Sequence, residues 1–161
     1  ADFQDRPAAE AQPPESCPTQ RRSVPIDEKF ELRQALGALP FSRAEAARYG
    51  GWGRLAPPRP LDALALTMLC DAWWPAVFTK TDGPKSAGAA PTLDLTVHFR
   101  SSLPHPGMHG EDFCLMEIES TTCREGYIEE RCQVWAPDGT LLAQTVQHAA
   151  RKLPPGKPEG P

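Results

Sequence analysis

The sequence lacks the features of a membrane, secreted or nucleic-acid-binding protein. Its longest apolar stretch, residues 61–78, is interrupted by Asp62, Asp71 and Pro75, and a central aspartate costs roughly 2.5–3.5 kcal/mol in a bilayer. The opening residues have neither the basic flank nor the apolar centre of a signal peptide. The net charge is −4, whereas surfaces that bind phosphate backbones carry clustered Lys and Arg. We therefore expect no membrane span and no nucleic-acid partner.

The cysteines do not form the framework of a disulfide-rich domain. There are five, an odd number, without a CxxC pair, in a chain of 161 residues that is long enough to fold without disulfides. We interpret them as reduced thiols, which predicts a cytoplasmic protein. Cys123 and Cys132 could face each other across a hairpin, and the sequence leaves that geometry open.

Proline is in excess, and its distribution predicts the domain organisation. The 19 prolines are about 12% of the chain, more than twice the usual share of roughly 5%. Nine of them lie in residues 1–25 and 154–161. We expect a proline-rich linker over residues 1–28, a folded domain over residues 29–152, and a disordered tail over residues 153–161.

One long helix is predicted from residue 60 to residue 74. Pro60 suits a first helical turn, and Asp62 suits the positive end of the helix dipole. Apolar side chains surround the axis rather than marking one stripe, which predicts a helix buried on all sides. Pro75 is expected to end or kink it.

A period of two follows, which is typical of strands. Apolar residues at 93, 95, 97 and 99 alternate with polar ones, predicting a strand with one covered face. Further strands are expected over residues 112–121, 127–136 and 140–151, the last two joined by a tight turn at 137–139. Residues 29–36 fit a strand or a helical turn, and Gly50, Gly51 and Gly53 are interpreted as a turn. One helix followed by antiparallel strands predicts an α+β fold.

Asp71 is the most informative candidate for chemistry. An unpaired carboxylate inside an apolar helix would lose several kcal/mol in solvation, so it must have partners or a cavity. Burial would raise the pKa of this carboxyl, which suits a general base. The alternative is a structural carboxylate satisfied by loop backbone near the helix end.

Other candidate sites are weaker. His105 and His109 are four residues apart, but the neighbouring Pro104, Pro106 and Gly107 predict a loop rather than a helical metal site. There is no GxSxG nucleophile elbow and no dinucleotide fingerprint. The acidic residues between 111 and 130 are interpreted as the solvated face of two strands. We expect neither a metal nor a cofactor.

Several motifs in order resemble a known family. They are residues 51–54 (GWGR), 60–66 (PLDALAL), 69–71 (LCD), 91–95 (PTLDL), and 138–139 (DG) followed by 143–147 (AQTVQ). In order and spacing they resemble the acyl-CoA thioesterase II type of the thioesterase-like superfamily, and specifically the second, C-terminal hotdog unit of a double-hotdog protein. The resemblance covers residues 29–152. It implies a hotdog fold, in which a curved antiparallel sheet wraps one long buried helix.

The resemblance also implies an activity and a site. In that family an Asp, a Thr and a Gln position and activate a water against a thioester carbonyl, and the matching positions here are Asp71, Thr92 and Gln147. The implied reaction is hydrolysis of a fatty or other acyl-CoA to the free acid and CoA, a step of lipid metabolism. A helix dipole or a backbone N–H is expected to stabilise the oxyanion, without an assigned donor.

The resemblance implies a partner and leaves alternatives. The opening residues look like the segment that leaves a first hotdog unit, and an open sheet edge predicts pairing with another hotdog unit, either a second copy or an N-terminal half. A non-catalytic acyl-binding or assembly half is the alternative function. A hotdog dehydratase is disfavoured, because Ala76 rather than His lies five residues after Asp71.

Overall fold

A computed structural model describes residues 3–20 and 25–152 of the chain. The predicted tail, residues 153–161, lies outside the described residues. No helix within the described ranges is long and apolar enough to cross a membrane.

Seven strands in the described residues form one antiparallel sheet. They are β1 (Thr19–Gln20), β2 (Phe30–Gly37), β3 (Arg48–Leu55), β4 (Thr92–Phe99), β5 (Cys114–Arg124), β6 (Tyr127–Trp135) and β7 (Leu141–Ala150). Their order across the sheet is β1-β2-β3-β5-β6-β7-β4. The strands predicted at 112–121, 127–136 and 140–151 are confirmed with small shifts at their ends, and residues 29–36 are resolved as strand rather than helix.

The glycine-rich segment lies inside a strand, so its interpretation as a turn is wrong. Gly50 and Gly51 pair with β2 on one side and β5 on the other. Their φ angles are 151° and 153°, and a Cβ on either would lie 2.1 Å from a carbonyl oxygen, that of Met116 or Arg33. Glycine is therefore required here because neighbouring backbones approach closely.

The helix is shorter and more exposed than its sequence predicts. Helix α1 spans Ala63–Cys70, and Asp62 caps its start by accepting a hydrogen bond from the Ala65 N–H at 2.8 Å. The expectations of a long helix reaching Pro75 and of burial on all sides are wrong, since Leu64 is 76% exposed and Met68 is 45% exposed. The helix packs on β3 through Leu69, which lies over Gly53. The contact is so close that a Cβ at position 53 would be only 3.2 Å from the Leu69 side chain.

Two adjacent tryptophans explain why the helix stops early. The ring of Trp73 packs edge-on against Tyr49 at 5.4 Å, and its indole N–H donates to the Met116 sulfur in the main core. The ring of Trp74 packs against Phe41 and Phe78 in a second cluster. The two indoles thus anchor the chain after residue 70, and tertiary packing overrides the helical preference of the sequence.

Residues 3–20, which the sequence assigns to a linker, pack on the sheet face opposite α1. Strand β1 pairs with β2, and the Trp52 indole N–H donates to the Gln12 carbonyl at 2.7 Å. Ala8 and Ala11 cover an apolar cluster of Leu36, Leu115 and Trp135, in which Trp135 is fully buried. The segment therefore contributes to the packed structure of the domain.

Strand β4 is the edge strand on the other side of the sheet. Among the described residues it pairs only with β7. The covered face that the alternation predicts is only partial: Leu95 and Val97 are half-buried, but Leu93 is 57% exposed and Phe99 is 46% exposed. The sheet thus ends on one side with an open, partly apolar edge.

Candidate active site

The structure brings together the side chains of Asp71, Thr92 and Gln147. The Gln147 amide nitrogen donates to Asp71 Oδ1 at 2.7 Å and to Thr92 Oγ1 at 2.6 Å. The Thr92 hydroxyl donates to the same Asp71 oxygen at 3.3 Å. Each residue comes from a different element: Asp71 caps the end of α1, Thr92 begins β4, and Gln147 lies near the end of β7.

A shift in strand register turns Thr92 towards this cluster. Along β4, Leu95 lies opposite Gln147 and Asp94 lies opposite His148, but Thr92 rather than Leu93 lies opposite Ala149. With regular alternation Thr92 would share the face of Asp94, on the other side of the sheet. The one-residue shift places its hydroxyl on the α1 side, within reach of Asp71 and Gln147.

Asp71 is exposed, so the expectation that its side chain is buried is wrong. Hydrogen bonds rather than desolvation fix its geometry: Oδ1 accepts from Thr92 and Gln147, whereas Oδ2 has no hydrogen-bond partner among residues 3–20 and 25–152. The second oxygen is therefore open to a water molecule. Because Asp71 lies at the C-terminal end of α1, the dipole of this helix is negative there and does not stabilise an oxyanion.

The cluster borders a cavity of about 230 Å³ between the end of α1, the start of β4, and strands β6 and β7. Its other lining side chains are mostly apolar and include Trp73, Pro75, Ile128 and Ala149. Pockets with apolar walls and a few convergent polar groups are typical of sites for small organic molecules. The arrangement can hold a water against Asp71 and admit an apolar group beside it.

Glu130 is a lining residue that the sequence did not reveal. It is half-buried on β6, directly opposite Gln147 on β7, and its Oε2 accepts a hydrogen bond from the Ala76 N–H at 2.5 Å. Burial and, to a smaller extent, the negative charge of Asp71 together raise its pKa to about 7, against the lowering effect of the Ala76 N–H. The interpretation of residues 111–130 as a solvated acidic face is thus wrong at this position. Strand alternation was the available signal, because residues 128, 130 and 132 share a face.

Cys70 also lines the cavity, but its protonation state excludes it as a nucleophile at neutral pH. Burial and the adjacent Asp71 raise the pKa of this thiol to about 12. The thiolate is the reactive form of cysteine, and almost none is present at pH 7. All five cysteines are free, and Cys123 and Cys132 do not face each other, since their partners across β5 and β6 are Ile128 and Ile118.

The two loop histidines are not brought together. His105 Nε2 lies 3.0 Å from Asp138 Oδ2, whereas the backbone N–H of His109 donates to Asp112. Within the described part of the chain, no group of three or more His, Cys, Asp or Glu residues has the arrangement of a metal site.

Comparison with solved structures shows the fold. A conserved protein of unknown function with a hotdog fold from Alicyclobacillus acidocaldarius is 28% identical, with a TM-score of 0.81 over 96% of this chain and 58% of that one. An acyl-CoA thioesterase II from Mycobacterium marinum is 19% identical, with a TM-score of 0.67 over 98% of this chain and 59% of that one. The tesB protein of Mycobacterium avium subspecies paratuberculosis is 20% identical, with a TM-score of 0.64 over 96% and 56%. These likenesses confirm the hotdog fold, and this chain spans less than three-fifths of each structure.

The family is shown by the sequence itself. No curated protein matches the chain. A family model, described as the acyl-CoA thioesterase C-terminal domain, matches residues 3–150, which is most of the chain and includes the segment before residue 29. The family resemblance that the motifs indicated is therefore confirmed: the chain belongs to the family of acyl-CoA thioesterase C-terminal domains.

Proposed function

We propose that the chain hydrolyses acyl-CoA thioesters with a water molecule held by Asp71, Thr92 and Gln147. The observation that carries this proposal is the contact of the three side chains at 2.6–3.3 Å beside the cavity. Membership of the thioesterase family supports the reaction class.

The proton transfers of the proposed reaction involve only these side chains and water. Asp71 Oδ2 accepts a proton from the water, and the water oxygen bonds to the thioester carbonyl carbon. The carbon–sulfur bond then breaks, and the proton passes from Asp71 to the sulfur, so that the free acid and the CoA thiol leave. Thr92 and Gln147 orient Asp71 and the water, and their hydroxyl and amide groups do not compete for the proton.

The proposal extends to a partner and a compartment. The exposed edge strand β4, with Leu93 and Phe99 uncovered, supports pairing with another hotdog unit, either a second copy or an N-terminal half. Five free cysteines support a reducing, cytoplasmic compartment. Residues 29–152 would carry the reaction.

The activity is tested with a panel of short-, medium- and long-chain acyl-CoA substrates and a thiol-release assay. We expect hydrolysis by the wild-type chain and at least a 100-fold loss in Asp71→Asn, which keeps the shape of the side chain but removes the base. Asp94→Asn is the matched control, because Asp94 lies on the opposite face of the sheet, beside His148, and its loss should leave the rate unchanged. Full activity in Asp71→Asn would refute the mechanism. An absence of hydrolysis, even after addition of a first hotdog unit, would favour the acyl-binding alternative.

The partner is tested by measuring the mass of the chain in solution. If β4 forms the interface, Phe99→Glu places a charge at the edge and should lower the oligomer mass. Leu64→Glu adds the same charge to the exposed face of α1, away from that edge, and should not change the mass. A wild-type chain that is monomeric, alone and with a first hotdog unit, would contradict the pairing.

A further inference from the structure

Glu130 is a carboxyl group in the cavity that the proposed reaction does not use. It lies opposite Gln147 across β6 and β7, and it lines the same cavity as Asp71 and Thr92. Directly paired positions on antiparallel strands carry side chains on the same face. The fold therefore places a second carboxyl group next to the residues that hold the water.

Glu130 also fixes the chain that follows Asp71. Its Oε2 accepts from the N–H of Ala76, the first residue of a 3₁₀ turn at Ala76–Lys80. Residues 72–75 alone separate Asp71 from this bond. Glu130 thus ties the segment after the helix end to β6 and restricts where Asp71 can lie.

The charges that face Glu130 are negative or absent. The groups at the end of α1 that face it are the Asp71 carboxylate and the Cys70 thiol. Strand β6 contributes the Cys132 thiol, and β7 contributes the neutral amide of Gln147. The 3₁₀ turn contributes the backbone N–H of Ala76. Burial raises the pKa of both thiols far enough to keep them neutral at pH 7. No Lys, Arg or His is among the described residues that line the cavity. Asp71 is therefore the charged neighbour to which Glu130 responds, and with a pKa of about 7 Glu130 changes its own charge near neutral pH.

We propose that Glu130 is a positioning residue of the thioester site, a second carboxyl group that acts on the reaction through Asp71. Its kinetic consequence rests on the proposed function. When Glu130 is ionised, two carboxylates repel each other in a cavity without a cation, and moving the proton of the water onto Asp71 relieves that repulsion. When Glu130 is protonated, this assistance is lost. Glu130 forms no bond with the substrate in this scheme.

The kinetic test compares the pH dependence of kcat/KM in the wild type, in Glu130→Gln and in Glu129→Gln, using the most rapidly hydrolysed acyl-CoA of the panel. The wild type should gain about three- to tenfold between pH 6 and pH 8, with a midpoint near 7. Glu130→Gln keeps an oxygen for the Ala76 N–H but cannot ionise, so this rise should disappear. Glu129→Gln is the matched control: Glu129 is the adjacent residue, on the opposite face, paired with Arg131 at 2.6 Å, and the variant should keep the wild-type profile. A rise that persists in Glu130→Gln, or one of opposite sign, would overturn the proposal.

A second measurement does not need activity. Carbon NMR of the Glu130 carboxyl should show a titration near pH 7 in the wild type, and the midpoint should fall by up to about one pH unit in Asp71→Asn, because the neighbouring negative charge is gone. A midpoint that is the same in both proteins would overturn the coupling, whether or not the chain hydrolyses thioesters. A shifted midpoint in a chain without hydrolysis would uphold the coupled pair and refute the proposed function instead.

Discussion

Gln147 is the side chain on which the geometry of the site depends most. Its amide nitrogen donates both to the carboxylate of Asp71, at 2.7 Å, and to the hydroxyl of Thr92, at 2.6 Å. Gln147→Ala removes both bonds and leaves Asp71 Oδ1 with the longer 3.3 Å bond from Thr92. The carboxylate is then free to rotate away from the position in which Oδ2 would face the proposed water.

The size of the effect follows from these two bonds. A hydrogen bond to a charged group contributes about 1.5–3 kcal/mol, and one between neutral groups contributes about 1 kcal/mol. If this energy acts in the transition state, the loss of about 2.5–4 kcal/mol lowers kcat by roughly 10²–10³-fold. KM should change little, because the described contacts of Gln147 are with the proposed catalytic groups, Asp71 and Thr92, rather than with an acyl chain. The assay is steady-state release of CoA thiol at saturating acyl-CoA.

Gln144→Ala is the control for this prediction. Gln144 lies on the same strand but on the opposite face, where its side-chain oxygen accepts a hydrogen bond from Arg100 at 2.8 Å. Gln144→Ala also removes a side-chain amide hydrogen bond, but one at the surface, and should leave kcat unchanged. If Gln147→Ala keeps kcat within about threefold of the wild type, or if Gln144→Ala loses as much, the assignment of Gln147 to the site is refuted.

Three further predictions test other parts of the structure. Thr92→Val should lower kcat at least about tenfold, since it removes the neutral bond from Gln147, worth about 1 kcal/mol, and the longer bond to the Asp71 carboxylate. Thr96→Val, on the opposite face of β4, should have no effect in the same assay. His105 and the Thr140 N–H hold the pKa of Asp138 at about 2, so its contribution to stability is complete above about pH 4 and is lost as the pH falls through about 2. Asp138→Asn should therefore flatten the dependence of Tm on pH in that window; equal slopes in both proteins would contradict this. Cys123 is the exposed cysteine, so a thiol reagent should label one cysteine rapidly in the native chain and the other four only on unfolding, and rapid labelling of two or more would contradict the burial.

Local patterns were sufficient to predict most of the sheet. Alternation located β4 to β7 to within a few residues. The Asp138-Gly139 turn predicted that β6 pairs with β7, and the pairing of Trp135 with Leu141 confirms it. The same patterns singled out Asp71 as a polar residue in an apolar segment. Thr92 and Gln147 came from the resemblance alone, because nothing in their own surroundings distinguishes them from other polar residues on strands.

Features that depend on tertiary contact could not be predicted. Strand β3 contains three glycines, which disfavour strands as isolated residues, and only the approach of the Met116 and Arg33 carbonyls explains Gly50 and Gly51. The early end of α1 depends on where the rings of Trp73 and Trp74 pack. The burial of Asp71 was inferred from its neighbours in sequence, but the helix ends just before it and the side chain is exposed.

The exposure of Asp71 changes the physical account of the site. A buried base would gain its proton affinity from desolvation, whereas Asp71 is exposed and held by two side-chain donors. Desolvation acts instead on Glu130, the carboxyl group that lies deeper in the same cavity. Two carboxyl groups in contrasting environments can have different protonation states at the same pH, and this allows them to take different roles in one reaction. Two separate features of the fold produce this contrast. The end of α1 leaves Asp71, the proposed base, exposed. The pairing of β6 with β7 places Glu130 beside Gln147, the amide that donates to Asp71.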